Sequence, residues 1–148
     1  MMKYYLAYGS NLNLDDMKVR CKHAKIVGTS YLKGYKLEYR GTSDNYAYLT
    51  LKKTNDENCI PVAIFKITLF DEYKLDKYEG YPNLYYKENI EIELNGKKKK
   101  AIIYLMHDHF LNHKPSNEYL NCCIKGYNDF NFDSNLLLEP IKQKTKKL

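Results

Sequence analysis

Apolar positions along the chain change their period several times, and each change marks an element. The run Tyr4-Tyr5-Leu6-Ala7 leads into Tyr8-Gly9-Ser10-Asn11-Leu12 and then Asn13-Leu14-Asp15-Asp16, which predicts a strand turning abruptly into a capped helix that ends near Arg20-Cys21. Lys25 to Tyr31, Tyr35 to Arg40 and Tyr46 to Lys52 place β-branched or aromatic residues in approximate alternation. Separated by Lys33-Gly34 and by Gly41-Thr42-Ser43-Asp44-Asn45, they predict antiparallel strands. After the polar Asn55-Asp56-Glu57-Asn58, Pro61 to Ile67 reads as a further strand whose proline can occupy the first position. Thr68-Leu69-Phe70-Asp71 has a hydroxyl followed three residues later by a carboxylate, the form of a capped helix start. Gly80 suits the exit of that helix, so Glu79 falls at its C-terminal end.

The runs Tyr86 to Leu94 and Lys97 to Met106 meet across Asn95-Gly96, a dipeptide that tolerates the positive φ angles of a two-residue hairpin. Ser116-Asn117-Glu118 opens another helix, with Gly126 as its expected stop. Pro140 is expected to interrupt a last Leu-rich segment and leave a frayed basic end. Strands outnumber helices, and connections of hairpin length cannot join parallel neighbours. The expected fold is therefore α+β: a small mixed, mainly antiparallel β-barrel flanked by short helices, or a curled sheet with helices packed outside, forming a single domain over residues 1–148. No internal repeat is visible, which argues against a solenoid or propeller.

Composition narrows the function classes. The formal charge of +6 is concentrated in Lys97-Lys98-Lys99-Lys100 and in Lys142, Lys144, Lys146 and Lys147, which read as solvated surface, so no nucleic-acid partner is expected. No apolar stretch is long enough to span a bilayer, and Met1-Met2-Lys3-Tyr4-Tyr5 enters the first strand without a signal-type apolar region. A cytoplasmic protein without a membrane partner is expected. The cysteines Cys21, Cys59, Cys122 and Cys123 then read as reduced thiols packed in or near the core. His107 and His109 would share one face of a strand, with His113 nearby, but no cysteine or spaced carboxylate completes a ligand set, so surface residues rather than a metal site are expected.

Candidate chemistry centres on Tyr8-Gly9-Ser10-Asn11-Leu12. Gly9 permits angles closed to other residues, Ser10 and Asn11 hydrogen-bond locally, and successive N–H groups can converge on one anionic oxygen. A buried carboxylate opposite would complete a site, and Glu79, within Asp76-Lys77-Tyr78-Glu79-Gly80-Tyr81-Pro82, is the candidate. Burial among Tyr78, Tyr81, Tyr85 and Tyr86 is expected to raise its proton affinity.

These residues resemble the gamma-glutamylcyclotransferase-like family. The resemblance runs through Tyr8-Gly9-Ser10-Asn11-Leu12, Met17, Arg20-Cys21, Gly34-Tyr35-Lys36-Leu37, Leu75-Asp76-Lys77-Tyr78-Glu79-Gly80, Tyr85 and Pro115-Ser116-Asn117-Glu118-Tyr119. It implies that Tyr8, Gly9, Ser10, Asn11 and Leu12 bind the γ-glutamyl part of a small-molecule substrate, that Tyr85 and Tyr119 lie on the substrate side, and that Glu79 is the general acid/base. Lys87 departs from the pattern, standing where arginine is common. The implied reaction is attack of the substrate's own α-amine on its γ-carbonyl, releasing 5-oxoproline and an amine or amino acid, with no cofactor and no metal. The leaving group stays open among cysteinylglycine, an amino acid, a polyamine and a natural-product amine, as does the oligomeric state. The alternative is a non-catalytic small-molecule binding or regulatory module of the same fold.

Overall fold

The computed structural model describes residues 2–55 and 57–146. In chain order the elements are β1 (Met2–Ala7), a 3-10 turn (Ser10–Leu12), α1 (Leu14–Arg20), β2 (Lys25–Lys33), β3 (Tyr35–Ser43), β4 (Tyr46–Lys53), β5 (Cys59–Thr68), α2 (Leu69–Tyr78), β6 (Tyr85–Leu94), β7 (Lys97–Met106), β8 (Leu111–Asn112), α3 (Asn117–Asp129) and α4 (Asn135–Lys146). The predicted capping signals are used. Asn13 Oδ1 accepts from the Asp16 N–H at 3.2 Å and Ser116 Oγ from the Tyr119 N–H at 3.1 Å. At the start of α2, Thr68 Oγ1 accepts from the Asp71 N–H at 3.0 Å while Asp71 Oδ2 accepts from the Thr68 N–H at 3.1 Å, so two otherwise orphaned donors are satisfied.

The expected closed barrel is not what the strands form. They divide into a five-stranded sheet, β2-β5-β1-β7-β6, and a three-stranded sheet, β4-β3-β8. The division falls at Gly34, where β2 goes on to pair with β5 and β3 turns away to pair with β4. The larger sheet nevertheless curls enough for its two edges to approach, because the Leu94 side chain of β6 lies 3.3 Å from where a Cβ on Gly28 of β2 would stand. β1 runs parallel to β7, a pairing that hairpin logic cannot foresee because it joins strands far apart in the chain. In the β6-β7 hairpin, Glu91 is in register with Lys100 and Glu93 with Lys98, and Lys98 Nζ lies 3.8 Å from Glu91 Oε1, so the lysine run stands beside carboxylates across the ladder.

Two other expectations change. Gly126 does not stop α3, which runs on to Asp129. Nor does Pro140 end α4: Leu137 is buried, its carbonyl accepts from Tyr39 Oη at 2.8 Å, and Leu136 and Ile141 pack against the core, so tertiary contacts carry the helix past the missing N–H. Lys147 lies outside the described residues, as does Asp56 in the polar turn. Of the cysteines, Cys21 and Cys123 are buried and Cys122 half-buried, but Cys59, the first residue of β5, is exposed.

What matters for function is how α2 is held. Leu75 is fully buried in the core beneath it. On the same helix, Glu72 and Asp76 share Lys87 Nζ of β6 at 2.8 and 3.0 Å, Lys3 of β1 adds a second contact to Glu72 at 2.9 Å, and Tyr104 Oη of β7 donates to Asp76 Oδ1 at 2.6 Å. The Glu72 side chain is only 10% exposed, so this network is worth more than a solvated surface pair. Lys87 thus has a defined place despite departing from the family pattern.

Gly126 is explained by contact rather than by helix termination. A Cβ there would sit 2.6 Å from the Asn13 nitrogen and 2.7 Å from the Leu12 carbonyl carbon, both backbone atoms that cannot swing aside. Helix propensity alone would make Gly126→Ala stabilising by about 1 kcal/mol, whereas overpacking costs roughly 1–3 kcal/mol. The expected net result is destabilisation, read as a lower urea midpoint with an unchanged m-value. A midpoint equal to or above that of the parent protein would show that α3 does not press on the 3-10 turn.

Candidate active site

β1 delivers the chain to Tyr8 and Gly9, where it leaves the sheet and winds into the 3-10 turn. The Leu12 N–H bonds to the Gly9 carbonyl and the Asn13 N–H to the Ser10 carbonyl, each at 3.0 Å. The first N–H groups of such a turn have no acceptor within it and are available at its N-terminal end. Two tyrosines fix the approach: Tyr127 Oη donates to the Tyr8 carbonyl at 3.1 Å, and Tyr8 Oη donates to the Tyr104 carbonyl at 2.6 Å. Gly9 faces Leu49 and Tyr119, and a Cβ on it would come within 3.2 Å of Leu49 Cδ1.

The second wall is the end of α2. Gly80, at φ +62°, reverses the chain in a left-handed cap in which the Tyr81 N–H bonds back to the Asp76 carbonyl at 2.9 Å and the Gly80 N–H to the Lys77 carbonyl at 3.2 Å. That cap leaves Glu79 as the last residue of the helical path, its side chain directed at the 3-10 turn. Asn11 Nδ2 donates to Glu79 Oε1 at 3.2 Å and to Tyr5 Oη at 2.7 Å, while Asn11 Oδ1 accepts from Arg20 Nη1. Ser10 Oγ and Tyr78 Oη share a hydrogen bond of 2.9 Å, and the Arg20 guanidinium lies 3.4 Å from the centre of the Tyr78 ring.

Between these walls lies a small, partly open pocket lined by Tyr5, Tyr8, Gly9, Ser10, Asn11, Leu49, Glu79, Tyr85, Tyr104 and Tyr119. Of the residues that the resemblance puts at the site, Tyr8, Gly9, Ser10, Asn11, Glu79, Tyr85 and Tyr119 reach it, whereas Leu12 is fully buried in the core beneath. Tyr85 Oη donates to the Leu49 carbonyl at 2.6 Å, and Tyr119 Oη accepts from the Leu49 N–H at 3.0 Å, so these two tyrosines occupy both backbone polar groups of one residue of β4. The tyrosines expected around Glu79 are partly replaced: Tyr81 is exposed with Lys87 Nζ 4.4 Å from its ring centre, and Tyr86 packs on His107. Tyr5, Tyr8 and Tyr104 take their place.

Glu79 keeps some of its residue surface exposed, but its carboxyl is enclosed. Burial pushes the group up from 4.5 to about 7, with the Arg20 charge and the Asn11 hydrogen bond acting in the opposite direction. The hydroxyls of Tyr5, Tyr8, Tyr85 and Tyr119 are pushed well up, burial being the largest cause in each case, and stay neutral. Burial likewise pushes the Cys21 thiol to about 12 and Cys122 to about 11, which leaves them poor nucleophiles. His107 stacks on His109 and His113 faces Asp44, and among the described residues no group of three or more metal-ligating side chains converges.

Sequence reasoning missed Tyr5, Tyr104, Leu49 and Arg20. The first three reach the pocket only through strand pairing, and carry no local signal. Arg20 did carry one, because Arg20-Cys21 belongs to the resemblance and Arg20 lies 9 residues beyond Asn11, on the helix that the turn opens into.

The family model for gamma-glutamyl cyclotransferase, AIG2-like proteins matches residues 5–121. No curated protein sequence matches. Among solved structures, one named gamma-glutamyl cyclotransferase superposes with a TM-score of 0.80 at 20% identity, covering 95% of this chain and 86% of its own. An uncharacterised protein from Homo sapiens gives 0.79 at 20% identity, over 94% of this chain and 86% of its own. YkqA from Bacillus subtilis gives 0.74 at 21% identity, over 99% of this chain but 55% of YkqA. At such identities the structures establish a common fold, a mixed α+β arrangement of antiparallel-rich sheets and short helices. The family match spans most of the sequence, and the chain belongs to the gamma-glutamyl cyclotransferase, AIG2-like family.

Proposed function

We propose that this chain is a cyclising transferase acting on a γ-glutamyl small molecule, with Glu79 as its general acid/base. The observation that carries the reading is the meeting of the Glu79 carboxyl with the Tyr8 to Asn11 segment across one pocket, tied directly by the Asn11 side chain. A γ-glutamyl compound carries its own nucleophile. Its α-amine is largely ammonium at neutral pH, since such groups titrate near about 8, and must lose a proton before it attacks.

In the proposed sequence the Glu79 carboxylate takes that proton, the amine nitrogen bonds to the γ-carbon, and the carbonyl oxygen becomes an oxyanion. Amide N–H groups of the Gly9-Ser10-Asn11 segment would hold the oxyanion or the α-carboxylate, where pre-aligned donors act more strongly than in water. Collapse of the intermediate breaks the original amide bond. The α-nitrogen loses two protons in becoming a lactam N–H, and both end on the departing nitrogen, which leaves as an ammonium; one carboxyl can carry them in turn. Folding the glutamyl chain in a narrow pocket would supply further rate, because intramolecular attack gains from lost rotational freedom.

Glu79→Gln keeps the shape and can still accept from Asn11, so it is expected to fold and to lose about a hundredfold to ten-thousandfold in kcat. The assay is mass-spectrometric detection of 5-oxoproline from a panel of γ-glutamyl amides, and a variant as fast as the parent protein would end the proposal. In the parent protein kcat/KM should rise with pH through about 7, as the carboxylate forms.

The same substitution makes a prediction about stability. The folded-state proton affinity of Glu79 is raised, so the folded protein holds a proton that the unfolded chain releases between pH 4.5 and about 7. Stability of the parent protein therefore falls across that window, by at most about 3 kcal/mol. Glu79→Gln should match the parent near pH 4 and exceed it at pH 8 in denaturant titrations. Equal stability at both values would mean that the carboxyl is not enclosed.

A further inference from the structure

The Asn11 carboxamide presents an oxygen on one side and an NH₂ group on the other, similar in shape and opposite in hydrogen bonding. Nothing in Asn11 itself decides which side faces Glu79. The decision comes from Arg20. A guanidinium has donors and no acceptor, so the amide atom it meets must be the oxygen. With Oδ1 engaged by Arg20 Nη1, Nδ2 is left facing Glu79 Oε1 at 3.2 Å and Tyr5 Oη at 2.7 Å.

We propose that Arg20 is a positioning residue for Glu79, fixing the Asn11 amide with its nitrogen toward the carboxyl and, by stacking on Tyr78, holding the 3-10 turn against the end of α2. This inference rests on the reading of Glu79 as the acid/base. The stacking partner is well placed for the task. Tyr78 immediately precedes Glu79 and shares a hydrogen bond with Ser10, so one planar cation grips both walls of the pocket. Lysine carries the same charge but has neither the plane to stack nor the fixed fork to aim.

Removing Arg20 has two consequences of the same sign. The amide becomes free to turn its oxygen toward Glu79, replacing a donor with an acceptor against the carboxylate, and the positive charge that opposes the effect of burial is lost. The other titratable groups that interact with Glu79 are the hydroxyls of Tyr5, Tyr8, Tyr78 and Tyr85 and the Cys123 thiol, all raised by burial and neutral near pH 7. Among the described residues Arg20 is the permanent charge acting on the carboxyl, so its removal should leave Glu79 protonated at pH values where the parent protein has a working base.

The experiment follows the Glu79 side-chain carboxyl by ¹³C NMR through a pH titration of the ligand-free full chain, with Glu79→Gln to assign the resonance. Arg20→Met and Arg20→Lys are compared with the parent, and the Asn11 side-chain ¹⁵N–¹H signal is read in the same samples. Arg20→Met is expected to raise the proton affinity of Glu79 about tenfold or more and to move the Asn11 signal, with Arg20→Lys between it and the parent. With a γ-glutamyl amide that the parent turns over, the acidic limb of kcat/KM should move up by the same amount, with kcat falling and KM little changed at pH 7.

A Glu79 titration and an Asn11 signal unmoved in Arg20→Met would overturn the proposal, even if turnover were lost. So would a raised KM at constant kcat with no change in the titration, which would make Arg20 a substrate ligand instead. Should Arg20→Met fail to fold, Arg20→Lys decides: unmoved signals there overturn the proposal, and shifts in the stated direction support it. If the parent turns over no γ-glutamyl amide while the NMR signals still follow Arg20, the positioning stands and the catalytic reading of Glu79 falls.

Discussion

The Asn11 carboxamide is the joint on which the pocket depends. It lies 68 residues from Glu79 along the chain, yet its nitrogen reaches that carboxyl and the Tyr5 hydroxyl, while its oxygen is held by Arg20. Strand β1, helix α1 and helix α2 therefore meet at one side chain. A carboxamide is suited to such a place because it offers donors and an acceptor without a charge of its own, and a buried amide with both ends satisfied avoids the penalty of an unpaired polar group.

The joint works only because the two pieces of backbone it ties are already stiff. On one side, the 3-10 turn is pressed from below by α3, where the absence of a side chain at Gly126 lets the helix touch the Leu12-Asn13 backbone. On the other, α2 is fixed at both ends, by the reciprocal Thr68 and Asp71 cap and by the left-handed Gly80 cap, and along its flank by the network of Lys3, Glu72, Asp76, Lys87 and Tyr104. Had α2 been held only by apolar packing, its hydrophobic contact at Leu75 would have tolerated some rotation. Directional contacts from three strands remove that freedom, and with it the freedom of Glu79 to swing out of the pocket.

Features set by neighbours in sequence could be read in advance. Caps at Asn13, Thr68 and Ser116, the Asn95-Gly96 hairpin and the Gly80 exit all depend on a few adjacent residues, and all are used. The pocket's Tyr8, Gly9, Ser10, Asn11, Glu79, Tyr85 and Tyr119 were legible too, though through the family resemblance more than through local pattern. What escaped depends on distant partners. Local rules offered the barrel as the way to close a set of hairpins, but β2 and β3 join different sheets; β1 and β7 pair in parallel; Gly126 and Pro140 look like stops until the contacts of their helices are known. Tyr5 and Tyr104 are pocket residues only because β1 and β7 are neighbours, with their rings 5.9 Å apart edge to face.

On the proposed reading, the surroundings of Glu79 also explain why one carboxyl could serve both proton transfers. An unperturbed carboxylate at about 4.3 receiving a proton from an ammonium at about 8 works uphill by nearly four units, about 5 kcal/mol before any bond is made. At about 7 the same transfer is nearly level, and the acid so formed is still able to protonate a departing nitrogen. Burial alone would carry the group further up and favour the protonated form, a donor rather than a base. The pocket therefore needs an opposing influence of limited size, and neutral tyrosines cannot supply it. One cation set behind an amide can: Arg20 is near enough to restrain the proton affinity, yet its direct hydrogen bond goes to Asn11, so Glu79 is not locked into an ion pair that would hold it ionised.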